Sequence, residues 1–242
     1  MKSLPLLERL FIFRSMHDDL LEFLGTYVTA NKMAIFRDLV EKRTRHITVV
    51  LEDLYQPQNT SAVMRTCDCF GVQDVHIIEN RNAWETNPDV ERGSSKWITL
   101  KRFNKRDNNT EDCLNHLRSS GYEIVATSPY GTTLISDLPM DKPFALVFGT
   151  EKQGVSESIL KQAKHTVKIP MYGFTESFNI SVAAAIFLHT CRQKLESSDI
   201  PWQLSADQKT EILISWCKKA LKHQDRYVRT FKALKDQKPD LG

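Results

Sequence analysis

The stretch LVFGTEKQGVS, Leu146 to Ser156, carries Gly149 and Gly154 at the separation used by loops that cradle phosphate with backbone N–H groups. Val155 stands where such a loop needs its lysine, so a nucleoside triphosphate site is not indicated. No G-x-G-x-x-G follows a first strand, which leaves the usual dinucleotide fingerprint without support. The cysteines, Cys67, Cys69, Cys113, Cys191 and Cys217, show no C-x-x-C and no paired histidine spacing, so neither a metal site nor a disulfide framework is expected. A reducing cytoplasm suits them. Cys67 and Cys69 are two apart on an expected helix and point to different sides, as packing residues do.

The segment Val167 to Lys194, VKIPMYGFTESFNISVAAAIFLHTCRQK, changes from a strand pattern to a small polar turn and then to a long helix pattern. Pro170 cannot donate to a sheet ladder, so the chain leaves the sheet there. From Asn179 the residues Val182, Ala183, Ile186, Phe187 and Thr190 recur at helical spacing, with Ser177 or Asn179 as the natural N-cap. A strand, a loop and a helix N-terminus at the edge of a parallel sheet form a generic place for a nucleotide-like ligand, because backbone N–H groups there lack partners. A plain strand-to-helix connection has the same pattern.

The elements that must position these residues follow from periodicity. The apolar positions after Pro5 predict one or two helices up to Gly25, and a second helix is expected from Ala30 to Arg43. It ends in Lys42, Arg43 and Arg45, cations that can touch phosphates or simply complement a helix C-terminus. Ile47–Leu51 reads as a strand buried on both faces, and Asn59 as the cap of a helix closed by Gly71. Strands are expected at Val75–Ile78, Lys96–Leu100, Tyr122–Ala126 and Phe144–Phe148, with a helix at Glu111–Ser119 and another opened by Ser156 and Glu157. Strands alternating with helices predict a parallel α/β sheet. After a polar linker, Ile212, Leu213, Trp216, Ala220 and Leu221 form the apolar stripe of a basic C-terminal helix, and residues 237–242 are expected to fray.

With 242 residues, 41% of them hydrophobic and 26% charged, the chain is long enough for one full core plus appendages. The net charge of +3 suits an RNA partner without requiring one. The first apolar run is broken by Glu8 and Arg9 and lacks a cleavage site, so neither a signal peptide nor a membrane span is expected.

Three stretches in order, PQNTSAVMRTCDCFG (Pro57–Gly71), LVFGTEKQGVS and IPMYGFTESFNIS, resemble the three motifs of the SpoU/TrmH branch of the SPOUT RNA methyltransferases, in register from about Arg43 to Leu195. GSSKW, Gly93–Trp97, adds to the likeness. The resemblance implies a parallel sheet with flanking helices whose C-terminal part threads a loop as a deep trefoil knot. It also implies S-adenosylmethionine held by Thr127, Gly149, Ile169, Met171 and Phe178, and a homodimer. The catalytic set it implies is Arg65, Asn59, Glu151, Ser177 and Asn179, with Arg43, Arg45, Asn59 and Arg65 on the RNA. Arginine is always protonated, so Arg65 is expected to stabilise charge and dock phosphate rather than act as a base, while Asn59 bonds RNA or holds Arg65.

Within that branch the pattern resembles members that methylate the ribose of guanosine 18 in the tRNA D-loop. Methylation of ribosomal RNA or another tRNA nucleotide, and a non-catalytic RNA-binding module, are the alternatives. The chain departs from the pattern in its longer N-terminal helical extension and in Thr175 and Glu176 before Ser177. The expected organisation is a helical extension over 1–45, the methyltransferase domain over 46–196 and a basic helical extension over 197–242.

Overall fold

The computed structural model describes residues 6–236, with side chains from Met16 onward. Pro5 and residues 237–242, both read above, lie outside them. In chain order the elements are α1 (Leu6–Gly25), α2 (Ala30–Glu41), β1 (Ile47–Glu52), α3 (Pro57–Cys69), β2 (Asp74–Ile78), α4 (Pro88–Glu91), β3 (Thr99–Phe103) and α5 (Asn109–Ser119). They continue with β4 (Glu123–Thr127), β5 (Thr133–Leu134), β6 (Phe144–Phe148), α6 (Glu157–Gln162), β7 (His165–Lys168), α7 (Ile180–Glu196), α8 (Ala206–Ala220) and α9 (Gln224–Asp236).

Two compact units result. Residues 43–203 form one, and the chain up to Lys42 joins the chain from Leu204 in the other. The two extensions read from sequence as separate segments therefore share a unit, since each helix alone exposes an apolar stripe that the other covers. Inside it Phe36 packs against Trp216 at 5.5 Å, Phe23 against Phe231 at 5.5 Å and Tyr27 against Tyr227 at 4.6 Å between ring centroids. Lys209 pairs with Glu41, and Lys235 with Asp19. Ser205 caps α8 with a reciprocal box to Gln208, which satisfies two otherwise orphaned donors.

The unit of residues 43–203 is built on a seven-stranded sheet of order β3-β2-β1-β6-β4-β7-β5, parallel at every pairing. All six residues of β1 and all five of β6 are buried, as strands covered on both faces must be. The third strand begins at Thr99 rather than Lys96, because Gly93 at φ 76° opens a 3-10 turn over Ser94–Lys96. Gly71, at φ 72°, follows α3 as a C′ glycine.

The core sits on both faces of the sheet. On one, Val49, Leu51, Val63, Cys67, Leu146, Phe148 and Phe187 are among a single cluster; on the other, Val50, Ile78, Leu114, Leu117, Ala145 and Ile159 are. The inward stripe of α7 is Ile180, Ala184, Phe187, Leu188, Cys191 and Leu195. Of the residues expected at its apolar face, Phe187 is therefore core, whereas Val182 is 46% exposed. No described helix is long and apolar enough to cross a membrane.

Candidate active site

In a parallel sheet the carboxyl ends of the strands share one edge, and loops leaving it can converge. Three do so here. The loop after β1 leads into α3, the turn after β6 carries Glu151, and the loop after β7 leads into α7. The helix α3 starts at Pro57 with Gln56 as its N-cap, so Asn59 is not the cap; it sits inside the first turn with its side chain turned inward, 8% exposed. Proline belongs at that first position because its missing N–H would have no partner there.

Asn59 Nδ2 donates to the Glu151 carboxylate and, at 2.9 Å, to Gln56 Oε1. Its Oδ1 accepts from Asn179 Nδ2 at 3.1 Å. Asn179 is the N-cap of α7, with Oδ1 accepting from the Ser181 N–H at 2.9 Å. Three segments far apart in sequence are thus tied by one hydrogen-bonded cluster. Gln56 escaped the sequence reading; its spacing of three from Asn59, one helical turn, was the available signal.

The turn bearing Glu151 is closed by paired backbone bonds between Thr150 and Gly154, at 2.9 and 2.8 Å. Gly149 can be nothing larger, for a Cβ there would stand 2.0 Å from the Gly154 carbonyl oxygen. Gln153 in the same turn accepts from Arg81 at 3.3 Å, and the Arg81 N–H donates to Asp53 at 2.9 Å, which ties the loops after β1 and β2 to this turn. Glu79, at the end of the β2 ladder, is held below the usual carboxylate range chiefly by its two hydrogen bonds from Arg102, at 2.7 and 2.8 Å.

Thr127, Gly149 and Ile169 lie at the ends of three neighbouring strands. Ala126 pairs with Val147 and Thr127 with Val167, so Gly149 and Ile169 each follow within two residues of a strand pairing with β4. Thr127 Oγ1 donates to the Val147 carbonyl at 2.9 Å. Ile169 is half-buried against the core, Met171 is half-buried, and Phe178 is 41% exposed. Across this edge the Tyr130 hydroxyl donates to Glu176 at 3.2 Å, which raises its pKa.

The remaining expected site residues are placed differently. Ser177 is exposed and Asn179, not Ser177, takes the capping role. Arg65 is exposed on α3, and its side chain makes no hydrogen bond or ion pair among the described residues. It is not held by Asn59, whose polar atoms serve Gln56, Glu151 and Asn179; six residues along a helix is roughly 9 Å of axial rise and a different face. Arg43 is 5% exposed and pairs with Asp68, and Arg45 pairs with Asp74 at 3.0 Å, so both guanidinium groups are engaged within the fold instead of presented to RNA. Among the described residues no group of His, Cys, Asp and Glu is arranged to hold a metal ion.

Comparison with known proteins identifies the family. The SpoU rRNA methylase family model matches residues 46–189. A tRNA (guanosine(18)-2'-O)-methyltransferase of Borreliella burgdorferi is 39% identical over 212 residues, 86% of this chain and 95% of that protein. The crystal structure of an A. aeolicus TrmH/SpoU tRNA modifying enzyme is similar with a TM-score of 0.70 at 29% identity, over 79% of this chain and 98% of that one. An AdoMet-bound rRNA methyltransferase from Sinorhizobium meliloti follows at TM-score 0.54 and 26% identity, over 66% of this chain and 60% of that one.

Proposed function

Because this chain belongs to the SpoU rRNA methylase family, whose model spans residues 46–189, we propose that it methylates the ribose 2'-hydroxyl of guanosine 18 in tRNA, using S-adenosylmethionine. The observation that carries the reading is the meeting of Asn59, Glu151 and Asn179 at the carboxyl edge of the sheet. The choice of tRNA and of guanosine 18 follows the relative that is similar over 86% of the chain.

The residues at that edge fit the cofactor. Ile169 and Met171 offer half-buried apolar walls beside the strand-end backbone at Thr127 and Gly149, the mixture that an adenine ring needs. S-adenosylmethionine, when bound, supplies an electrophilic methyl group on a sulfonium. The chain's own task is to place the 2'-hydroxyl in line with that carbon, so that an O–C bond forms as the C–S bond breaks. Glu151, exposed and bonded to Asn59, is the anionic group available to accept or steer the departing proton. Arg65 docks a phosphate of the RNA and stabilises negative charge developing on the oxygen.

Arg65 stands six residues along α3, on another face, from the Asn59 that bonds Glu151, which supports a homodimer in which Arg65 of one copy serves the Glu151 site of the other. The exposed Val182 at the start of α7 is an apolar surface available to such a contact. A trefoil knot belongs to the same reading. Its support is that β7 lies between β4 and β5, neighbours in sequence, and that Gly131 passes so close to β7 that a Cβ would meet the Val167 carbonyl carbon at 2.7 Å. A crystal structure that traces without threading would remove the knot.

Nucleoside analysis of unmodified tRNA after incubation with enzyme and labelled S-adenosylmethionine tests the function. The expected product is 2'-O-methylguanosine at position 18. Methyl incorporation into a base, or into ribosomal RNA and not tRNA, would refute the substrate assignment.

A further inference from the structure

We propose that Gln56 is a positioning residue of the transfer reaction: its carboxamide oxygen holds the Asn59 side chain in the one orientation that donates to Glu151. This rests on the methyltransferase reading of the site and adds to it a residue on the surface next to the cluster.

The hydrogen-bond polarity starts from a group that cannot turn round. The backbone N–H of Ser181 is a fixed donor, so the Asn179 atom 2.9 Å from it is the carboxamide oxygen. The Ser181 hydroxyl donates to the same oxygen at 2.6 Å. Asn179 must then turn its Nδ2 toward Asn59, and the Asn59 atom facing it at 3.1 Å must be the acceptor Oδ1. The two hydrogens on Asn59 Nδ2 remain, one for the Glu151 carboxylate and one for Gln56 Oε1 at 2.9 Å. Every member has one orientation.

Reversing Asn59, itself 8% exposed, would set its oxygen against the Glu151 carboxylate and its amide against the Asn179 amide, two repulsive contacts. Asn179 and the Glu151 carboxylate fix which way Asn59 faces, and Gln56 anchors the second Nδ2 hydrogen so that the first stays aimed at Glu151. Gln56 is free to do so. As the N-cap of α3 it makes no side-chain bond to the helix backbone, and its own carbonyl accepts from the Thr60 N–H at 3.1 Å. The side chain is exposed, so replacing it removes the acceptor and leaves the core packing as it was.

The full-length protein with Gln56→Leu, which keeps the shape and removes the acceptor, and with Gln56→Glu, which keeps an acceptor, gives the test. In side-chain carboxamide NMR spectra one of the two Asn59 Nδ2 protons is expected to move toward the position of a free amide in Gln56→Leu and to stay in place in Gln56→Glu. Single-turnover methylation of tRNA should fall about tenfold in Gln56→Leu, the loss of about one net hydrogen bond, with S-adenosylmethionine affinity within about twofold. Gln56→Glu keeps the acceptor but brings a second carboxylate beside Glu151, so this variant is read by the Asn59 signal and not by its rate.

An unchanged Asn59 signal in Gln56→Leu, a Gln56→Leu rate within twofold of the parent, or the same Asn59 shift in both variants would overturn the proposal. So would a large drop in melting temperature in both, which would make Gln56 a stability residue. A parent protein without activity on tRNA would refute the methyltransferase reading instead, while the Asn59 spectrum would still decide the role of Gln56.

Discussion

Arg65→Ala separates the two halves of the proposed chemistry. Arg65 is exposed and has no partner among the described residues, so its removal should change the unfolding free energy by no more than about 0.5 kcal/mol. Alanine is also the better helix former, which offsets part of even that. The proposed cofactor residues Thr127, Gly149 and Ile169 lie at strand ends on other elements, so S-adenosylmethionine affinity by calorimetry should stay within about threefold of the parent. Losing one group that stabilises developing charge costs about 2.7–4 kcal/mol of barrier, so single-turnover methyl transfer to tRNA at saturating cofactor should fall by about 10²–10³. Arg65→Lys should be nearly as damaging, because a point charge cannot reproduce the guanidinium fork on phosphate. The proposed homodimer adds a second readout. If Arg65 works across the interface, mixing Arg65→Ala with Glu151→Gln and allowing subunits to exchange gives about half mixed dimers with one intact site each, roughly a quarter of the parent activity. Arg65→Ala retaining most of its turnover would refute the role. Absence of recovery on mixing would refute the shared site.

Gly149→Ala should abolish cofactor binding and lower the melting temperature, because the added carbon meets backbone atoms of Gly154 at 2.0 and 2.1 Å; calorimetric affinity like that of the parent would contradict the close approach. Burial, with the neighbouring charges of His116 and Lys101, holds His76 down to about 3. Its folded pKa lies below the unfolded one, so the stability it confers is complete above about pH 6.5 and is lost as pH falls toward 3, about 2 kcal/mol between pH 7 and pH 5. Urea titrations at both pH values should show this loss shrinking in His76→Gln; equal losses in parent and variant would rule it out.

Much of the chain was legible because local chemistry and tertiary demand agree. Ile47–Leu51 and Phe144–Phe148 are apolar without alternation, and both are strands buried on two faces. Gly71 at the end of α3 and Asn179 at the start of α7 do what their backbone and side-chain chemistry favours anywhere. The misplaced boundaries share a cause. Asn59 looks like a cap from its type, yet Pro57 starts the helix earlier, and the Lys96–Leu100 pattern slides along because a glycine turn precedes the strand.

The charged residues divide differently. Charge and periodicity leave Arg43, Arg45 and Arg65 equivalent cations on or near helices, and the motif resemblance singles out Arg65 while putting all three on the RNA. The fold separates them physically, by setting Asp68 and Asp74 beside the first two and no partner among the described residues beside the third. The motifs, their order and the parallel alternation of strands and helices are properties of the chain read along its length, since each depends on residues a few positions apart. The bond from Asn59 to Glu151 spans 92 positions and that from Asn179 to Asn59 spans 120. No local pattern encodes such contacts, because they exist only where the parallel sheet brings three strand ends to one edge.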